Sequence, residues 1–126
     1  MSTASLITAE LPAVDPEALT RLERFGGTKL LREMIALFLE VAPGRLAAAE
    51  TAVAKIDVMA AEHALHSLKS SSAQLGATRL SRLSEQGEVL ARTATVTEIT
   101  ELLRESRAEL VRVEAWLLNE RDARCA

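Results

Sequence analysis

Residues 57–77 read DVMAAEHALHSLKSSSAQLGA, and the spacing of apolar and polar positions in this stretch decides the fold class. Ala61, Leu65, Leu68, Ser72 and Leu75 recur at intervals of three and four, the period of one face of a helix. Asp57 can cap the start of that helix, and Gly76 is placed for a left-handed turn at its end.

The flanking sequence repeats the pattern. Upstream, Asp15-Pro16-Glu17 supplies a capping acid, a proline for the first helical position and a carboxylate in the first turn. The short helix it opens carries Leu19 and Leu22 and stops at Gly26-Gly27. Thr28 can cap the next, whose inward positions are Leu31, Ile35, Phe38, Ala42, Leu46, Ala49, Val53 and Ile56. Pro43-Gly44 falls within this run and is expected to kink it or split it in two. Downstream, Leu80, Leu83, Gly87 and Leu90 mark a helix from about Thr78 to Arg92. Thr95-Val96-Thr97-Glu98 is a capping box opening a last helix with Ile99, Leu102, Leu103, Ser106, Leu110, Val113 and Leu117 inward.

Four long amphipathic segments with short connections predict an all-α fold, an antiparallel up-down four-helix bundle with a short additional N-terminal helix as a lid. The expected organisation is a flexible arm over 1–14, the bundle over 15–118 and a frayed tail over 119–126. No internal repeat, low-complexity segment or linker interrupts it.

Composition agrees and narrows the function. The 126 residues suit one domain. They are 48% hydrophobic but only 2% aromatic, with no Tyr, so Leu and Ala, both strong helix formers, fill the core. A net charge of −3 with no Lys/Arg cluster speaks against nucleic acid or an anionic membrane as partner. No apolar run is long enough to span a bilayer. The single cysteine, Cys125, has no internal partner, and the first residues lack a signal peptide's basic start and apolar block. The expected location is the cytoplasm.

The chemistry concentrates around His66. At about 100° per residue, its side chain points roughly 140° from the centre of the apolar stripe, onto the bundle's flank. Lys69 and Ser70 lie one turn on, and Glu62 and His63 one turn before. An exposed neutral imidazole is a competent nucleophile that a partner can approach in line. Lys69 would set a positive charge near phosphoryl oxygens. The small side chains of Ser67, Ser70, Ser71 and Ala73 leave the surface open to a docking protein.

The run HSLKSSSAQLGA resembles the signature H-x-L-K-G-x-S-x-x-L-G-A of histidine-containing phosphotransfer (HPt) domains, through His66, Leu68, Lys69, Ser72, Leu75, Gly76 and Ala77. The helix order from Asp15 to Leu118 resembles the same family, as does Leu30–Ala42, LLREMIALFLEVA. The resemblance implies that His66 is the phosphoacceptor and Lys69 the cation assisting the phosphoryl group. It implies a phosphorelay intermediate between receiver domains of response regulators and hybrid sensor kinases. The catalytic aspartate and Mg²⁺ would belong to the receiver, leaving no cofactor in this chain. Glu62, His63, Ser67, Ser70 and Ala73 would line the docking surface. Ser70 stands where the family has Gly. Its hydroxymethyl group is expected to make transfer slower or more selective, an effect that Ser70→Gly should relieve.

Other readings fit parts of the pattern. His66 alone could be an ordinary surface histidine on a non-catalytic interaction module. His63 and His66 could share a metal, but they have only Glu62 as a further ligand and no H-E-x-x-H arrangement. The dimerising histidine helix of a sensor kinase would carry an acid directly after the histidine, where this chain has Ser67. No G-x-x-x-x-G-K-[ST] loop offers ATP-dependent kinase activity. One chain supplies every helix of the bundle, so a monomer is expected.

Overall fold

A computed structural model describes residues 12–93 and 95–125. Four helices follow one another: α1 (Pro16–Ala54), α2 (Val58–Gln74), α3 (Thr78–Thr93) and α4 (Val96–Arg124). Each packs on its neighbour in sequence, and α4 closes back on α1, which makes a four-membered ring around one core. Leucines dominate that core, with Leu31, Leu46, Leu65, Leu68, Leu80 and Leu117 among its buried members. None of the helices is long and apolar enough to cross a membrane.

Three of the expected caps, at Asp15, Asp57 and Thr95, form. Asp15 Oδ1 accepts from the Glu17 N–H at 3.1 Å, Asp57 Oδ1 from Ala60 at 3.1 Å and Thr95 Oγ1 from Glu98 at 3.3 Å. Each satisfies one of the N–H groups that a helix start leaves without an internal partner. The lid helix and its successor are two arms of α1, 16–26 and 28–54, joined by Gly27 at φ 74°, ψ −174°.

Both turns flanking α2 are Schellman caps. After α2, Gly76 is left-handed at φ 76°, and Ala77 N–H bonds back to Ser72 O at 2.9 Å. After α1 the same geometry recurs, with Asp57 N–H on Ala52 O at 2.8 Å and Ile56 N–H on Val53 O at 3.1 Å. Here the left-handed residue is Ile56, at φ 56°. Ile56 was expected on the inward stripe; it is instead 75% exposed, because α1 has already ended and the turn throws the side chain outward.

The break expected at Pro43-Gly44 is also absent: Gly27 is the non-helical position inside α1. Proline in a helix interior costs about 3 kcal/mol. Burial of a large apolar side chain returns about 1.5 to 3 kcal/mol, and Phe38 and Leu46 flank Pro43 on the core face, with Ala42 between them. Packing wins.

The described residues at both ends of the chain make defined contacts. Residues 1–11 of the predicted arm lie outside the described residues. Beyond them, Arg79 N–H donates to Ala13 O at 3.2 Å and Asp15 N–H to Gly76 O at 2.7 Å, which pins the approach to α1 across the α2–α3 turn. The tail expected to fray from Asn119 is helical through Arg124. Its guanidinium bonds Glu120 at 2.7 Å and reaches Thr20 at 3.0 Å and Glu23 at 3.3 Å on the first arm of α1. The hydrogen bond to Glu120, foremost, raises the Arg124 pKa above its ordinary value, against an opposing effect of burial. Among the described residues one acid is fully buried: Glu109 on α4, 3.8 Å from Arg79 and 2.8 Å from Arg112.

Candidate functional site

His66 sits in the middle of α2 with its side chain 64% exposed, on the flank where the helical phase puts it. Leu65 and Leu68 are fully buried beside it, so the core grips the backbone while the ring stands in solvent. The hydroxyl of Ser81 donates to Lys69 O at 3.1 Å and ties the same turn of α2 to α3.

The site extends beyond α2. Across the α2–α3 interface, His66 Nδ1 lies 3.3 Å from Glu88 Oε2. The other carboxylate oxygen of Glu88 lies 3.8 Å from Lys69 Nζ, an ion-pair separation beyond hydrogen-bond reach. Glu88 is only 16% exposed, and a charge so nearly covered gains from both neighbours. An ionised carboxylate only accepts, so the proton in this contact belongs to Nδ1. Nε2 is then the ring nitrogen left with its lone pair.

α2 and α3 are antiparallel, so the pairing repeats one turn away: Glu62 faces Arg92, Oε1 to Nε, at 3.3 Å. On the opposite side of His66, Ser67 and Ser71 join Met34, Leu37, Phe38 and Val41 of α1 in lining a groove of about 250 Å³. Ser71 Oγ donates back to Ser67 O at 2.9 Å, which spends its hydroxyl inside the helix. His63, Ser70 and Ala73 are exposed along the row that contains His66.

The residues singled out from the sequence therefore separate into three rows. His63, His66, Ser70 and Ala73 share the open face, Lys69 and Glu62 turn to α3, and Ser67 turns to α1. Glu88 and Arg92 were missed. The signal for them was present in the tight turn at Gly76, which sets the antiparallel register and places 88 opposite 66 and 92 opposite 62. Among the described residues, no group of three or more His, Cys, Asp or Glu side chains could hold a metal ion.

The sequence model of the Hpt domain matches residues 33–116, well over half of the chain. The chain belongs to the Hpt domain family. A crystal structure of histidine-containing phosphotransfer protein B (HptB) from Pseudomonas aeruginosa PAO1 has a similar fold, with a TM-score of 0.82 at 23% identity. The match covers 90% of this chain and 98% of that one. A comparison with curated proteins gave no match. Membership in the Hpt family places the chain among phosphorelay proteins, and the bundle with no strand among the described residues is the fold expected of it.

Proposed function

We propose that His66 accepts a phosphoryl group from a receiver-domain aspartate and passes it to another receiver. The observation that carries this is the contact of His66 Nδ1 with Glu88, which leaves Nε2 of the exposed ring as the nucleophile. In the forward step the Nε2 lone pair attacks phosphorus. The N–P bond forms as the bond from phosphorus to the aspartyl oxygen breaks, and the aspartate leaves as carboxylate. The ring becomes cationic, and Glu88 holds that charge through the Nδ1 proton. A carboxylate behind an imidazole serves the same purpose in hydrolytic triads. Lys69 sits one turn from His66 to meet the phosphoryl oxygens. The second transfer is the reverse of the first with a different aspartate.

The open row and the neighbouring groove support docking. His63, Ser70 and Ala73 leave room around the ring, and Leu37, 55% exposed on α1, offers apolar contact area at the groove's edge. The chemistry requires neither ATP nor a metal held by this chain; the receiver's Mg²⁺ belongs to the partner. One chain completes the bundle, and action as a monomer in the cytoplasm follows the same reading.

The test is incubation with a phosphorylated receiver domain. Wild-type protein is expected to acquire label that is acid-labile and base-stable, and His66→Gln to acquire none. Equal labelling of the His66→Gln protein contradicts the assignment.

A further inference from the structure

The ion pair between Glu62 and Arg92 has no part in the reaction as derived so far, yet it lies one helical turn from the phosphoacceptor. That is about 5.4 Å along the axis, within the sweep of an arginine side chain. The pair is 3.3 Å long through Nε, with Arg92 57% and Glu62 32% exposed, and an ion pair this exposed costs little to open. Lys69, the nearer cation, already shares Glu88 with the ring of His66. In the resting site the two carboxylates, Glu62 and Glu88, are matched by the two cations, Lys69 and Arg92. A phosphoryl group on His66 carries nearly two negative charges on its oxygens, and with the ring turned cationic it adds about one net negative charge to that balance. It outcompetes a single carboxylate for a guanidinium, whose fork suits phosphate oxygens.

Resting on the reading that His66 is phosphorylated, we propose that Arg92 is a second phosphoryl-binding cation, stored on Glu62 and released to the phosphoryl group once it arrives. Glu62 is then a holding residue that sets how much of Arg92 the phosphoryl group receives. The phosphorylated and free forms differ in where the Arg92 side chain lies, which a receiver docked on the α2–α3 flank would meet.

The full-length chain can be phosphorylated with phosphoramidate. His66 Nε2 attacks phosphorus, the P–N bond to the amino group breaks, and ammonia leaves. The readout is the second acid dissociation constant of the phosphoryl group, from its ³¹P chemical shift against pH. A merely structural ion pair would not move it. Arg92→Gln is expected to lower that constant about threefold, the size of an exposed charge contact, and Arg92→Lys to recover most of the loss. Glu62→Gln is expected to raise it, and to do so only while Arg92 is present. His63→Gln, run in parallel, shows whether the other histidine on the exposed row contributes to the ³¹P shift. An Arg92→Gln value equal to wild type overturns the proposal. So does a Glu62→Gln effect of the same size with and without Arg92, which would mean fixed charges acting independently. Absence of phosphoryl from His66 in every variant overturns the functional reading itself.

Discussion

At the scale of single residues the decisive feature is the partner behind the ring. Glu88 is held on α3 at 16% exposure and fixes which nitrogen of His66 carries the proton. Glu88→Gln keeps an acceptor near Nδ1 but removes the charge proposed to stabilise the phosphorylated, cationic ring. Phosphotransfer from a receiver should fall about 10- to 100-fold, the usual range for losing such a supporting group, while the thermal midpoint stays unchanged. Rapid-quench kinetics beside a melting curve separate the two quantities, and an unchanged rate would show that Glu88 is a bystander. His66 and Lys69 were legible in the sequence because they lie on one helix with a short, fixed spacing. Glu88 and Arg92 were not, because their relation to His66 runs through the α2–α3 turn, and periodicity within a segment carries no information about the facing one.

At the scale of elements, the caps did most to make the helices readable. Asp15, Asp57 and Thr95 begin helices where their hydrogen-bonding chemistry says they should. Ends were harder. A Schellman turn after α2 announces itself with Gly76, but the equivalent turn after α1 uses Ile56, a β-branched residue that disguises the stop as one more inward position. Left-handed geometry costs an L-residue about 1 to 2 kcal/mol, and glycine gives part of that back through its freedom in the unfolded chain. Ile56→Gly should therefore stabilise the protein by about 0.5 to 1 kcal/mol. Gly76→Ala should destabilise it, since a Cβ there would lie 2.2 Å from Asp15 O as well as in a strained conformation. Urea denaturation of both variants checks the pair, and a destabilised Ile56→Gly would remove strain as the account of this turn. Pro43 was misread for a different reason: a local rule about proline was outweighed by flanking core residues, and their burial is a property of the assembled bundle.

At the scale of the molecule, the two ends of the chain hold each other. The Arg124 guanidinium on α4 gathers Glu120, Thr20 and Glu23, and Arg32 donates to Cys125 O at 2.7 Å, so the end of α4 and its C-cap clasp both arms of α1. No pattern within either segment reveals a contact about a hundred residues long in sequence, and polar residues at a terminus read as a fraying tail. Arg124→Ala should cost about 1 to 2 kcal/mol, as expected for several partly screened charged hydrogen bonds. Hydrogen exchange should quicken in 16–26 and the last turn of α4 but not around His66. Faster exchange throughout α2 would mean that the clasp supports the site directly. The bundle thus separates its duties, with stability distributed through the leucine core and the terminal clasp, and the proposed chemistry confined to one flank of α2 and α3.

The account depends above all on Nε2 being the atom that forms the bond to phosphorus. Uniformly ¹⁵N-labelled protein, phosphorylated through a receiver and observed by ³¹P–¹⁵N correlated NMR, reports that atom directly. Coupling of the phosphorus to Nε2 of His66, with Nδ1 still protonated toward Glu88, is the predicted result. Coupling to Nδ1, or phosphorus attached to any other side chain, would contradict it.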